Sequence, residues 1–550
     1  MAAHTETGTM AHPKLYESKQ MKHLGLVAGM YDELGVGELL DRLIPQDGEK
    51  RILSIGQAVK AMVLNGLGFA NRALYLTPLF FRDKMVERLI GEGIEAEHIN
   101  DDVLGRALDA IYEYGPDKLY PQLAAQAVKH LGLLCRFAHM DSTGFHVDGR
   151  YNSDVEAGEG VIHITKGYSR DHRPDLNQVV LQLINERQAG IPLLMQTLSG
   201  NNSDKDSFRE MINEFTEQMR GDFGIEYLIA DSALYVAETL KSMSALLWIS
   251  RVPETLGLAC DVIDVAAPGL MRDPTGTMFR RLEVEYGGVK QRWLVVFSPD
   301  AYQRAQKTIN KHCSKQSTAE MKAFTKLCKQ DFACEADARK ALAAFEKGLK
   351  MTFINDASVN ALPRFEGKGR PAAGRQPDFY AYRIEGAVAS IPQERTRRLK
   401  RKSCFILASN QLNCEALSDE DLIKAYKDQQ KVERGFRFLK DPMFMASTLF
   451  LKSPKRIMAL MMVMTLCLMV YAALEHRIRE VLKTHNETFP NQKGKLIDNP
   501  TARWVFQFFT GIQVLVIDKT RELVLNLNEH QAKLLKLLGE RYEILYSGSG

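Results

Sequence analysis

The chain has 550 residues, 45% apolar and 25% charged, with a formal charge of +4. That is an ordinary soluble composition with room for roughly three or four domains. So slight a charge excludes a nucleic-acid surface spread over the whole molecule; any such surface must be local. The eight cysteines, at 135, 260, 313, 328, 334, 404, 414 and 467, form no C-x2-C pair, and no signal peptide is expected ahead of them. Reduced thiols in a cytoplasm are expected, and the spacings fit no zinc site.

Residues 1–18 are polar and aperiodic, as in a disordered lead. Helical periodicity then runs to about Leu133, with Ser54 opening one helix through a capping box and Asn100 capping another. Residues 19–135 are expected to form an all-α domain for DNA binding or dimerisation, a plain scaffold being the alternative.

The pattern changes at Arg136. Residues 136–147 alternate as a strand carrying Asp141 and reach the turn dipeptide Asp148-Gly149. Strands at 178–185 and 191–198 follow, then a helix from the Ser203 cap to about Met219. Residues 226–231 are a short apolar run ending in Asp231, the way a buried strand delivers an acid to a site. A further strand covers 246–252. Taken singly, Asp141 reads more readily as a turn or cap acid and Asp231 as a helix cap.

Residues 253–415 read as an insertion: β hairpins at 275–296, two charged helices at 301–350, a Gly/Pro-rich basic loop at 363–371, and strands at 380–391 and 403–409. The run RTRRLKRK at 395–402 holds six cations in eight residues, including Arg397, Arg398 and Arg401. It is either a solvated face or a phosphate contact.

Residues 426–440, YKDQQKVERGFRFLK, follow a Ser418 cap and early acids and read as one helix. At 100° per residue, Tyr426, Gln429, Glu433 and Lys440 fall within about 60°, with Arg434 and Arg437 nearby. An acid among cations suits a metal beside phosphates, although a solvated face with i, i+4 ion pairs explains the same pattern. The uncharged residues 457–474 are long enough to span a membrane, but their Met, Thr and Cys content favours a core helix. Residues 416–484 are assigned to a second core segment and 485–550 to a carboxyl-terminal module.

The spacing Y-x2-Q-x3-E-x6-K resembles the Y-x2-R-x3-E-x6-K motif of insertion-sequence DDE transposases of the IS-four superfamily, with Gln429 where that pattern has Arg. Asp141 in D-S-T-G and Asp231 in D-S-A-L-Y resemble the family's first and second acids. The resemblance implies an α/β, ribonuclease-H-like core interrupted by a β-rich insertion, with an all-α amino-terminal domain. It implies Asp141, Asp231 and Glu433 as catalytic metal ligands for two Mg2+ (or Mn2+) ions. Tyr426, Gln429, Arg434, Arg437 and Lys440, and the cations Arg397, Arg398 and Arg401, would contact DNA. Implied partners are the terminal inverted repeats and target DNA, bound by a homodimer in the bacterial cytoplasm at the nucleoid, with no membrane. In relatives the insertion handles a DNA hairpin, for which Trp248 and Trp293 are stacking candidates, packing being the favoured reading of each. A catalytically inactive end-binding relative is the competing expectation.

Overall fold

The computed structural model describes residues 15–46, 51–69, 74–147, 151, 160–167, 173–243, 245–272, 278–367, 374–440, 451–518 and 520–548, excepting the side chains at 74, 204–206 and 430–434. They divide between two compact units, one of Met1–Ser250 with Asn413–Gly550 and one of Arg251–Leu412. The expected turn at 148–149 and part of the basic loop at 363–371 lie outside the described residues.

The first unit begins with β1 (Tyr16–Gln20) and the helices α1 (Leu24–Glu33), α2 (Val36–Leu43), α3 (Ile55–Leu67), α4 (Thr77–Phe81), α5 (Val86–Leu89), α6 (Asp101–Tyr114) and α7 (Pro116–His130). Ser54 and Gln57 form the reciprocal capping box on α3, and the Asn100 side chain accepts the Val103 N–H on α6.

Next come β2 (Phe137–Val147), β3 (Thr165–Lys166), β4 (Asn177–Glu186), β5 (Pro192–Ser199), α8 (Asp204–Gly221), β6 (Tyr227–Ala230), α9 (Ala237–Ser242) and β7 (Leu247–Arg251). β2 is central: it pairs antiparallel with β4 on one side and parallel with β6 on the other, and β6 pairs parallel with β7. β5 and β3 share the far edge of β4. The fold is thus mixed α/β with a mixed sheet. β6 is buried at all four positions, as a parallel strand covered on both faces must be.

The second unit contains α10 (Gly257–Leu270), β8 (Phe279–Tyr286), β9 (Val289–Phe297), α11 (Pro299–Cys328), α12 (Glu335–Gly348), β10 (Thr352–Arg364), β11 (Phe379–Ser390), α13 (Pro392–Ser403) and β12 (Cys404–Ser409). β9 pairs antiparallel with both β8 and β12, and β10 with β11 forms a separate two-stranded ribbon. Phe324, Ala338 and Ile384 make a small core between the ribbon and α11 and α12. A β-rich insertion was expected, but its longest element is the 30-residue α11. Trp248 and Trp293 are fully buried, and Trp293 donates its indole N–H to Gln291. Neither presents a face to a flipped base.

The chain returns to the first unit through α14 (Asp419–Lys427), α15 (Gln430–Leu439) and α16 (Pro454–Thr484). It ends in the short strands β13 (Phe489–Pro490) and β14 (Leu496–Ile497), then α17 (Ala502–Phe508), β15 (Gln513–Ile517), β16 (Arg521–Leu525), α18 (Glu529–Leu538) and α19 (Glu540–Leu545). Among the described residues α16 is the one helix long and apolar enough to cross a membrane, and 94% of its most apolar stretch is buried. Around it pack α1, α3, α6, α7, β5, α15, α17 and α18, so the amino-terminal helices share its core. Arg456 grips Asp109 with two hydrogen bonds of 2.7 Å.

β1, part of which was expected in the disordered lead, is ordered by antiparallel pairing with β15. The carboxyl-terminal module docks close to α1 because Gly25 and Gly29 make room there: a Cβ would sit 2.6 Å from the ring of Tyr546 or Tyr542 respectively. Tyr542 donates to Glu33 and Tyr546 to the Lys22 carbonyl, both at 2.6 Å.

Candidate active site

Two of the expected acids meet at the sheet centre. In the parallel pair, Met140 lies opposite Ala230, and Asp141 and Asp231 are the next residues along their chains. Neighbouring strands run about 4.8 Å apart, which makes the two backbones immediate neighbours. Asp141 is 8% exposed, and its Oδ1 accepts the Ser142 N–H at 2.8 Å. Asp231 stands in the turn after β6, where its Oδ1 accepts the Ala233 N–H at 2.8 Å, an Asx turn. Buried Ser250 on β7 donates to the Asp231 carbonyl at 2.9 Å and fixes that turn from the other side. Sequence reading missed Ser250, whose role depends on the β6–β7 register.

The helix expected over 426–440 is two helices. α14 is capped by Ser418, whose hydroxyl accepts the Asp421 N–H at 3.0 Å. It ends at Lys427, and α15 starts at Gln430. At the break Asp428 takes a 2.6 Å ion pair from Arg187 in the β4–β5 turn. That turn is itself held by Glu186, whose buried carboxylate accepts the N–H groups of Gln188, Ala189, Gly190 and Ile191. Arg187 also lies 5.0 Å from the ring of Phe137. The break falls within the row of Tyr426, Gln429, Glu433 and Lys440: Tyr426 lies in the last turn of α14, and Gln429 directly precedes α15 without a side-chain cap bond.

α14 packs on β6, and α15 packs on β2 and α16. The helix carrying Glu433 is thus seated on the strand carrying Asp141. Phe436, Phe438 and Leu439 bury its apolar side, and Phe438 stacks on Tyr471 at 4.3 Å. The side chains of Glu433 and Arg434 lie outside the described residues. Tyr426, Gln429 and Lys440 are half-buried and Arg437 is exposed. Arg437, Phe438, Tyr471, Glu475, Arg479 and Arg503 line a cavity of about 320 Å³ beside α15.

Four cations of the run at 395–402, Arg397, Arg398, Arg401 and Lys402, already have carboxylate partners. Arg397 and Arg398 pair with Glu394 of their own helix at 2.8 and 2.9 Å, and Arg401 grips Asp264 of α10 with two prongs. Burial opposes the charge on Glu394, but Arg398 and Arg397 prevail and hold its carboxyl below the usual range. The hydrogen bonds that Arg401 donates to Asp264 push its guanidinium pKa up. Arg401 thus ties α13 to α10, while Arg397 and Arg398 are held along their own helix.

Among the described residues, no group of three His, Cys, Asp or Glu side chains could hold a metal ion. Asp141 and Asp231 supply two carboxylates, each aimed by a backbone N–H. Two anions one strand apart repel, and a hard, oxygen-seeking dication fits between such groups. All eight cysteines are free thiols.

Residues 136–470 match the family model described as Transposase DDE domain, more than half of the chain, and the protein belongs to that family. Residues 16–125 match a second model, described as a domain of unknown function, DUF4277. No curated protein matches the chain. Among solved structures, the cryo-EM structure of piggyBac transposase synaptic complex with hairpin DNA is similar over 90% of this chain and 82% of that one, at 7% identity and a TM-score of 0.37. A likeness that distant carries no argument about the site.

Proposed function

We propose that this protein is the cut-and-paste transposase of a bacterial insertion sequence of the IS-four superfamily, built on a ribonuclease-H-like core. It binds the terminal inverted repeats as a homodimer at the nucleoid, cleaves the DNA there and joins the freed ends to target DNA, without a membrane partner. The observation that carries the reading is the adjacency of Asp141 and Asp231 at the ends of paired parallel stretches, in a chain of the DDE family.

Asp141, Asp231 and Glu433 would hold two Mg2+ or Mn2+ ions through carboxylate oxygens. Such ions polarise a phosphate and ease deprotonation of a bound water. Water oxygen then forms a bond to phosphorus as the P–O3′ bond breaks, leaving a 3′-OH. In strand transfer that hydroxyl attacks a target phosphate and displaces another 3′ oxygen, with no covalent link to protein. Tyr426, Gln429, Arg434, Arg437 and Lys440 would hold phosphate oxygens, and Arg503 in the cavity beside Arg437 adds a further cation.

The test is Mg2+-dependent nicking of a duplex carrying the inverted repeats that flank the reading frame. New 3′-OH ends at the repeat boundary are expected. Tight binding of that duplex with no cleavage in Mg2+ or Mn2+ would make the protein an inactive end-binding relative instead.

A further inference from the structure

The basic face of this protein is absent from its net charge because the two units oppose each other. Residues 251–412 hold 28 Lys and Arg against 17 Asp and Glu, a net +11, while the rest of the chain holds 44 against 51, a net −7. Within the positive unit, four of the six cations of α13 are engaged: Arg397 and Arg398 with Glu394, Arg401 with Asp264 and Lys402 with Glu254. Those of α11 are not.

Arg304, Lys307, Lys311, Lys315, Lys322 and Lys326 are all exposed on α11. Their spacing of three, four, four, seven and four residues keeps them in one sector about 100° wide at 100° per residue. The buried residues of the same helix, Cys313, Glu320 and Phe324, fall on the opposite side and face the small core. Among the described residues none of the six side chains has a hydrogen-bond or ion-pair partner. Thr308, Thr318 and Thr325 lie in the same sector but donate their hydroxyls back to carbonyls of their own helix. Only charge is offered outward.

We propose that α11 lies lengthwise along duplex DNA and binds its phosphates without reading sequence, an inference resting on the transposase function above. From Arg304 to Lys326 the stripe is roughly 33 Å long at 1.5 Å per residue, about one 34 Å turn of B-form duplex. A row of cations of that length suits a stiff polyanion. Thr rather than aromatic residues stands among the cations, and Met321 is the one large exposed apolar side chain on the helix, so a membrane surface finds a single anchor only.

The experiment is duplex binding by the full chain over a range of salt concentrations, using random-sequence DNA. Lys307→Gln, Lys311→Gln, Lys315→Gln and Lys322→Gln combined should weaken binding at least tenfold. It should also flatten the log K against log salt slope by about 0.9 per lost contact, so about 3 to 4. The same four positions changed to Arg should bind as the natural protein does, and Arg397→Gln with Arg398→Gln should leave the slope unchanged. An unaltered slope in the quadruple Gln variant overturns the proposal while leaving the transposase reading standing, and so does loss of binding in the quadruple Arg variant. Failure of the natural protein to bind any duplex overturns the transposase reading itself.

Discussion

Asp141 and Asp231 each follow the last residue of a hydrogen-bonded parallel pair, Met140 opposite Ala230. Their closeness is a property of sheet register, independent of either side chain's conformation. A one-residue slip of β6 against β2 would carry Asp231 out of line with Asp141 and turn the buried strand over.

Replacing Asp141 or Asp231 with Asn, or Glu433 with Gln, should lower Mg2+-dependent cleavage by about 10³-fold or more, since each removes a metal-binding charge worth several kcal/mol of transition-state stabilisation. End binding should persist within a few-fold. Gel assays on one labelled repeat read both quantities, and near-natural cutting by any one variant removes that residue from the catalytic set.

Arg187→Met tests whether the break between α14 and α15 serves the site. The Arg187–Asp428 pair is partly buried, with side chains 20% and 28% exposed, and its loss leaves Asp428 without that cation. A charged hydrogen bond of this kind contributes about 1.5–3 kcal/mol. Urea unfolding should show that loss. Cleavage should fall more steeply than DNA binding, because displacing α15 by even about 1 Å costs on the order of 10²-fold in rate.

What was legible in the sequence follows the range of each signal. The caps at Ser54, Asn100 and Ser418, the apolar run into Asp231 and the strand of Asp141 are set by neighbours three to five residues away, and all appear in the structure. The break at residues 428 and 429 carries no Gly or Pro; the residue that pairs there lies 241 positions earlier. β1 is polar and was indistinguishable from a tail, since its order comes from a strand near the other end of the chain. The cations at 395–402 drew attention by density, yet Asp264, 137 positions away, neutralises one of them. The stripe on α11 was present as a periodicity of cations, a signal that density alone conceals.

Glu320 should be a stability determinant of the second unit. Its carboxylate takes hydrogen bonds from Gln316, the Lys350 and Met351 N–H groups and the Thr352 hydroxyl, tying α11 to the start of β10. Burial works against its charge, but those donors outweigh it and the carboxyl sits below its ordinary value of 4.5. A depressed carboxyl stabilises the fold above that value, and the contribution is lost as pH falls below it. Glu320→Gln should cost about 1.5–3 kcal/mol at neutral pH. Hydrogen exchange at the Lys350 and Met351 amides is the direct readout, and equal protection in both proteins at pH 7 would refute the assignment.

His23 should make the first unit acid-sensitive well above the carboxylate range. Its Nε2–H donates to the Leu67 carbonyl at 2.8 Å, and its ring stacks on Phe506 at 4.4 Å, joining α1 to α17. Burial drives its pKa from 6.5 down to about 4, against the Leu67 carbonyl and with help from Lys22 and Lys84. Between those values the unfolded chain carries more protons than the folded one, so stability falls as pH drops from 6.5 toward 4 and levels off below. The full effect is about 3 kcal/mol at 1.36 kcal/mol per pH unit. Gln can still donate to Leu67 but cannot titrate. His23→Gln should therefore lose some stability at pH 7 through the missing ring, yet show a shallower decline between pH 6.5 and about 4. Urea midpoints at several pH values decide it. Parallel declines in the two proteins would mean that other groups carry the acid sensitivity, and that the α1–α17 junction opens without protonating this ring.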